Sequence, residues 1–147
     1  MYHIKIIDRL LKNELSAAET YRQILNKCPN DVGMKDKEFL IPIYNAHKDA
    51  VSSLQKQIRN LGGTPVEHSG VRDIWKKIVQ GGVNMLGKKT ALKALREAEQ
   101  SGAEDYEKTL RNAQLPLCLQ CLIEWKLLLI QKSHTRILDR LLDTATA

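Results

Sequence analysis

The sequence predicts an all-α protein, a four-helix bundle made of two antiparallel helical hairpins joined by a long connection. Along four long segments, apolar residues recur at spacings of three and four, as on one face of a helix. Only 4 prolines, 8 glycines and 5% aromatic residues occur among 147 residues, which disfavours a protein of many short strands. The first half of the chain also repeats in the second. This length fits a single domain spanning residues 1–147.

The first two predicted helices, A and B, form a hairpin because the connection between them is short. Helix A spans Tyr2 to Lys27 and ends before Cys28-Pro29-Asn30. Helix B spans Asp36 to Leu61, and the pair Gly62-Gly63 that follows is typical of a helix C-terminus. Pro42 lies within this segment, so it should kink helix B or mark its true start.

The second hairpin, helices C and D, follows a crossover over residues 62–89. The crossover contains a short helix-like run from Val71 to Val79 and is long enough to run from one end of a bundle to the other. Helix C spans Thr90 to Asn112, with Thr90 as its cap after a loop containing Gly87. Helix D spans Pro116 to Leu142, with Pro116 in its first turn.

An internal repeat relates the two hairpins. The segment NELSAAETYRQIL, from Asn13, aligns without gaps on AEQSGAEDYEKTL, from Ala98. In the second helices, His47 aligns with His134. The duplication predicts a pseudo-two-fold bundle in which helix A faces helix C and helix B faces helix D. The identical pairs in the first helices are Glu14/Glu99, Ser16/Ser101, Ala18/Ala103, Glu19/Glu104, Tyr21/Tyr106 and Leu25/Leu110.

One ionisable residue interrupts the apolar face of each predicted helix near the middle of its length. These residues are Glu14, His47, Glu99 and His134. Two carboxylates and two imidazoles are costly to bury unless they pair with each other or with a cation. The four are therefore candidate metal ligands at mid-height in the bundle.

The residues around these four should complete the site. Tyr21 and Tyr106, two turns beyond the glutamates, are placed to donate hydrogen bonds to it. Glu19 and Glu104 point away at helical spacing and should be solvated. Small residues one turn beyond each glutamate should leave space for a ligand or water: Ala17, Ala18, Gly102 and Ala103.

The duplicated Glu on the first helix of each hairpin and His on the second resemble the ferritin and rubrerythrin superfamily. Essentially the whole chain is similar to short bacterial ferritin-like bundle proteins of unknown function. In that group a Tyr follows the first-helix acid, and the second helix ends in a phrase like Leu61-Gly62-Gly63-Thr64-Pro65. The resemblance implies a bacterial protein with a ferritin-like bundle.

The sequence departs from the superfamily at its di-metal site. That site needs Glu-x-x-His on each second helix, because four carboxylates neutralise and bridge two metals. Here Tyr44 and Gln131 occupy the glutamate positions, so we expect them only to line the site and expect no dinuclear centre. With neutral histidines, the two remaining glutamates balance one divalent ion, and the ligand types suit Fe, Mn or Zn.

Three interpretations of this group of buried residues remain open. It can be a hydrogen-bonded Glu-His network that fixes the register of the helices, a site for one divalent metal, or a pocket for an organic ligand or a catalyst. The leading function is a non-catalytic or weakly metal-binding ferritin-like protein. The alternatives are a mononuclear or degenerate di-metal oxidoreductase and a stress-related structural or interaction module. No catalytic residue or organic cofactor is predicted.

Composition narrows the setting. The net charge is +6, but the positive residues are dispersed along the helices without interleaved aromatics, so a nucleic-acid partner is not expected. No apolar run is long enough to span a membrane, and the N-terminus does not resemble a signal peptide. The chain has three cysteines, an odd number, which does not make a disulfide framework. We therefore expect a cytoplasmic protein with free thiols.

Two further features of the sequence concern packing and self-association. Cys118 and Cys121 form a C-x-x-C that we expect to pack as small apolar residues. Trp75 and Trp125 should pack together or lie at a self-association surface. The segment from Leu115 to Ile130 is more apolar than one core face requires, which favours a homodimer.

Overall fold

The computed structural model confirms an all-helical protein. It describes residues 2–27, 34–67, 74–76, 78, 83–112 and 114–145. Within these residues no strand occurs, and no helix is both long and apolar enough to cross a membrane.

Three long helices and a composite C-terminal rod make up most of the described fold, and the described crossover residues 74–76 and 78 are helical as well. The long helices are α1 (Tyr2–Lys27), α2 (Met34–Asn60) and α3 (Val83–Asn112). The rod consists of α4 (Leu117–Leu122), a π-helical turn (Ile123–Leu127) and α5 (Leu128–Ala145). The sequence pattern did not predict the π-helical turn.

The end of α2 confirms the predicted glycine signal. Gly62 has φ +84°, and its amide donates to the Arg59 carbonyl at 3.0 Å. The amide of Gly63 donates to the Ile58 carbonyl at 2.9 Å, which completes a Schellman motif. A Cβ at Gly63 would lie 3.0 Å from Ile4 Cδ1, so the start of α1 packs closely against the end of α2.

The predicted boundaries need three corrections. α3 begins at Val83, seven residues before the expected Thr90 cap, so the expected loop at Gly87 is helical. A glycine inside a helix costs only about 1 kcal/mol relative to alanine, which a long packed helix tolerates. Pro42 lies inside α2 and so does not mark its start. Pro116 immediately precedes α4 and is not part of its first turn.

The helices pair as two antiparallel hairpins. The most extensive packing joins α1 to α2 and α3 to α5, with smaller contacts from α1 to α3 and from α2 to α5. The His3 Nε2 atom lies 2.7 Å from the Gln114 carbonyl, which brings the start of α1 to the end of α3. Two ion pairs join α3 to α5. Arg96 pairs with Asp139 near one end of this hairpin, and Lys132 Nζ lies 3.5 Å from Glu107 Oε1 nearer its other end. The two ion pairs run in opposite directions along α3 and α5, as expected for antiparallel neighbours.

A layer of buried polar side chains, which we call the polar layer, divides the core into two apolar clusters. It contains Glu14, His47, Glu99 and His134. The Tyr21 cluster contains Ala17, Tyr21, Ile24, Leu40, Ile43, Trp75, Ile78, Leu92, Leu95, Ala98, Leu138 and Leu141. The Tyr106 cluster contains Ile7, Leu10, Leu11, Ala50, Leu54, Ile58, Ala103, Tyr106, Leu119, Ile123, Leu127 and Leu128. Each long helix contributes to both clusters, so every one of them passes through the polar layer between its ends.

One of the two alternatives for the tryptophans is excluded, and the packing prediction for the cysteines is wrong. Trp75 is fully buried in the Tyr21 cluster, whereas Trp125 is 70% exposed, so the two tryptophans do not pack together, and a self-association surface at Trp125 stays a prediction. Cys118 and Cys121 are exposed free thiols, because Leu119 between them supplies the buried side chain of α4. The third cysteine, Cys28, lies outside the described residues.

Candidate metal site

Four side chains, one from each of α1, α2, α3 and α5, meet in the polar layer. They are the predicted residues Glu14, His47, Glu99 and His134, and each is at most 3% exposed. On every helix the ionisable residue takes a position that continues the apolar stripe, so the packing that buries the stripe also buries the charge. By contrast Glu104 is exposed, as predicted, and Glu19 is partly exposed and pairs with Arg22.

His47 bridges the two carboxylates. Its Nδ1 donates to Glu14 Oε2 at 2.5 Å, and its Nε2 donates to Glu99 Oε1 at 2.7 Å. An imidazole that donates from both nitrogens carries two protons and is therefore positively charged. Burial opposes that charge, but Glu99 and Glu14 outweigh it and raise the pKa of His47 to about 10.

Glu99 accepts hydrogen bonds from three side chains. Besides His47, the Nδ1 of His134 donates to its Oε1 at 2.8 Å, and the Gln131 amide donates to its Oε2 at 3.1 Å. Burial alone would raise the pKa of Glu99. The charge of His47 and the hydrogen bonds from His134 and His47 lower it instead to about 2, so the group is a carboxylate.

The two repeated tyrosines have different environments. The Tyr106 hydroxyl donates to Glu14 Oε1 at 2.6 Å, as predicted. The Tyr21 ring stacks on His47 with centroids 5.5 Å apart, but its buried hydroxyl has no hydrogen-bond partner among the described residues. Burial, reinforced by the nearby glutamates, raises the pKa of both tyrosines well above the ordinary value. Both hydroxyls therefore keep their protons and stay neutral.

Two residues beside the site, Trp75 and Asn13, were not predicted from the sequence. Trp75, from the crossover, places its ring edge against His47 at a centroid distance of 6.1 Å and an interplanar angle of 77°. Its indole Nε1 donates to Asn13 Oδ1 at 3.1 Å. One signal was present in the repeat, since polar Asn13 in helix A aligns with Ala98 in helix C. A contact with a residue more than sixty positions away leaves no periodic pattern.

Gln131 fills the space predicted beside Gly102. A Cβ built on Gly102 would lie 2.5 Å from Gln131 Nε2, so the absent side chain admits the amide rather than a ligand. The Gln131 amide also donates to the Glu99 backbone carbonyl at 3.0 Å. Tyr44 occupies the aligned position on α2, but it packs against the Tyr21 cluster, with the Lys48 ammonium 4.6 Å from its ring centre.

A cavity of about 60 Å³ lies on another side of the polar layer, between α2 and the C-terminal rod. Its buried lining includes Glu14, His47 and His134, and its exposed lining includes Asp49 and Lys126. Ala46 and Ala50, both short side chains on α2, contribute to the wall. The open space thus adjoins α2 and the rod, and not the small residues of α1 and α3 where we expected it.

Three of the four residues have the geometry of a metal-binding group. One ligand atom from each of His47, Glu99 and His134 lies within 4.8 Å of the others. Glu14 is held instead on the second ring nitrogen of His47, on the side away from Glu99. Two imidazoles and a carboxylate are ligands that Zn, Fe and Mn accept.

A comparison with protein-family models matches residues 3–112 to the Domain of unknown function DUF2383. The chain belongs to this family. The DUF2383 match contains Glu14, His47 and Glu99, whereas His134 and Gln131 lie beyond its end. No curated protein and no solved structure shows a significant match to the chain.

Gly102 offers a direct test of how tightly the site is packed. We expect Gly102→Ala to lower stability by about 1 kcal/mol, because displacing the buried Gln131 amide outweighs the roughly 1 kcal/mol that alanine adds to a helix. The double variant G102A/Q131A should be more stable than G102A alone, because it removes the steric conflict. Urea denaturation of both variants and of Gln131→Ala measures this coupling. Additive free energies would contradict the contact.

Proposed function

We propose that this DUF2383 protein is a ferritin-like four-helix bundle that binds one divalent cation at His47, Glu99 and His134. The observation that carries the proposal is the convergence of three buried ligand atoms within 4.8 Å. The two antiparallel hairpins and the facing pairs α1–α3 and α2–α5 support the bundle. The long stretch of chain between α2 and α3 supports its crossover topology.

The carboxylate behind His47 supports the metal role. Metal-binding histidines commonly donate their second ring nitrogen to a carboxylate, which orients the ring and increases its basicity. Glu14 has that relation to His47 and is itself held by Tyr106. We therefore assign Glu14, first predicted as a ligand, to the orientation of His47.

The charge of the layer also supports a cation. The imidazolium of His47 and the two carboxylates that it bridges carry formal charges that sum to one net negative charge. A divalent ion that displaces one proton from His47 would make the layer neutral, which lowers the cost of burial. The donor set therefore fits a metal, and the buried Tyr21 hydroxyl, which lies near Glu99, provides a further polar group at the site.

The ligand set favours one ion over two. Tyr44 packs away from the hydrogen-bonded group, and Gln131 presents an amide that donates to Glu99. Neither position supplies the carboxylate that would bridge a second metal. Three protein ligands leave at least one position of a four-coordinate Zn, Fe or Mn ion for water.

Metal titration of the purified, untagged protein tests the proposal. We expect one Co²⁺ or Zn²⁺ per chain, with affinity lowered about 100-fold or more by His134→Gln and about 10–100-fold by Glu14→Gln. Glu104→Gln, which changes an exposed acid on α3, is the matched control and should bind as the wild type does. Elemental analysis of the protein as purified would identify the natural ion.

One observation favours a second candidate, a structural network without a metal. His47 already satisfies both glutamates, so the layer can hold four helices in register by hydrogen bonds alone. In that case the wild type would bind no cation at micromolar concentration, and replacing Glu14 and Glu99 together by Gln would change stability only. That result would contradict the metal site.

The homodimer expected from the sequence stays a prediction. Its support is an exposed apolar strip along the C-terminal rod, where Leu117 is 73%, Trp125 70% and Leu129 51% exposed. A cytoplasmic location likewise stays a prediction.

A further inference from the structure

We infer that a divalent cation reaches the buried site through the cavity between α2 and the C-terminal rod, with Asp49 as its first contact at the mouth. This inference rests on the proposed metal site. It adds an entry route and assigns roles to two surface residues outside the ligand set, Asp49 and Lys126.

The walls of the cavity connect the surface to the ligands. Asp49 and Lys126 are exposed, whereas Glu14, His47 and His134 at the other end are buried, and all five line the same cavity. The methyl side chain of Ala46 keeps the passage open, since any larger residue there would enter it. A volume of about 60 Å³ holds about two water molecules, so a cation in this cavity keeps few of its waters.

Large side chains cover other sides of the polar layer. Tyr21 and Trp75 are fully buried on the side of the Tyr21 cluster, and Tyr106 is 2% exposed on the side of the Tyr106 cluster. An ion approaching past them would have to displace a packed aromatic ring. The cavity needs no such displacement, which is why it is the favoured route.

Charge at the mouth directs the entering ion. Asp49 supplies a carboxylate that attracts a cation, and Glu14 supplies a second carboxylate at the inner end. Lys126 places an opposing positive charge at the same mouth. In the part of the chain that the structure describes, neither Asp49 nor Lys126 has an ion-pair partner, so both charges act on the entering ion.

The test measures the rate at which the metal-free protein takes up Co²⁺, followed by visible absorption in a stopped-flow instrument at low salt. Asp49→Asn should slow uptake about threefold to tenfold, and Lys126→Gln should accelerate it by a similar factor. Ala46→Leu should slow it about tenfold or more by narrowing the passage. The final Co²⁺ content should be unchanged in all three variants, because none alters a ligand.

The controls separate charge, size and folding. Glu97→Gln removes an exposed acid on α3, and Ser52→Leu adds an exposed leucine on α2, both outside the cavity lining; both should load at the wild-type rate. High salt should reduce the changes in uptake rate caused by D49N and K126Q, because salt screens charges, and should not alter the change caused by A46L. Circular dichroism confirms that each variant is folded.

The outcomes are distinguishable. Wild-type rates in D49N, K126Q and A46L, with full occupancy at equilibrium, would overturn the route and leave the metal site in place. If the wild type takes up no Co²⁺ at all, the proposed function itself is overturned, and the route with it.

Discussion

Replacing Glu99 with glutamine is expected to destabilise the metal-free protein by about 3–5 kcal/mol, because it breaks a buried charge pair and leaves one partner uncompensated. Glu99 is fully buried and accepts hydrogen bonds from His47, His134 and Gln131. A neutral amide cannot balance the imidazolium of His47, and its NH₂ group would face side chains that themselves donate. Urea denaturation in the presence of a chelator measures the loss as a lower midpoint at unchanged slope.

Glu104→Gln is the matched control for this variant. Glu104 lies five residues further along α3 and is exposed, so the same chemical change should alter stability by no more than about 0.5 kcal/mol. If E99Q lost less than about 1 kcal/mol relative to E104Q, the hydrogen bonds of Glu99 would contribute little and the buried network would be refuted.

Raising the pH is expected to destabilise the metal-free protein. The pKa of His47 is about 10 in the folded chain against 6.5 for an ordinary histidine. Between pH 6.5 and 10, the folded state therefore keeps a proton on His47 that the unfolded state has released. The resulting stabilisation is complete below pH 6.5, shrinks as the pH rises, and is lost above 10. A shift of this size corresponds to several kcal/mol, so urea midpoints measured between pH 6.5 and 10 should fall steadily.

The groups that face His47 come from every element packed against it. Glu14 and Tyr21 approach from α1, Glu99 from α3, His134 from α5 and Trp75 from the crossover. Glu14→Gln removes one of the two charges that raise the pKa of His47, so its stability should fall less steeply with pH. His3→Gln, far from the layer, should keep the wild-type slope. A wild-type midpoint that stays constant from pH 7 to 9.5 would contradict the charged His47.

Lowering the pH towards 2 is also expected to destabilise the protein, because the folded-state pKa of Glu99 is lowered whereas that of His47 is raised. Glu99 has a pKa of about 2 in the folded chain against 4.5 ordinarily, so its stabilisation is complete above 4.5 and is lost as the pH falls towards 2. This is the same Glu99–His47 interaction seen from its other partner, so the two losses describe one contribution. The protein should therefore be most stable between pH 4.5 and 6.5.

Much of the candidate site could be predicted because it repeats. Glu14 and Glu99 occupy aligned positions, as do His47 and His134, and each interrupts an apolar stripe whose burial was evident from its spacing. The Tyr106 hydroxyl reaches Glu14 as its position predicts. The repeat did not predict the part of the site in which the two hairpins differ. Gln131 enters the space beside Gly102, whereas its counterpart Tyr44 packs against the Tyr21 cluster.

Other features left no local trace. Trp75 reaches Asn13 and His47 from the crossover, a contact that depends on the path of the connection between α2 and α3. The start of α3 at Val83 was obscured because Gly87 normally signals a loop. The exposure of Cys118 and Cys121 depends on the rotation of α4, which buries Leu119 in their place.

The sequence by itself determined that the chain is helical, where most helices lie, and that Glu14, His47, Glu99 and His134 are buried. That information is local, since a stripe of period 3.6 specifies both the helix and its inward face. Only the tertiary structure decided which ring nitrogen of His47 meets which glutamate, what fills the space at Gly102, and where the cavity opens. Those depend on the axial shift and rotation of neighbouring helices, because a displacement of one or two ångströms exchanges one hydrogen-bond partner for another.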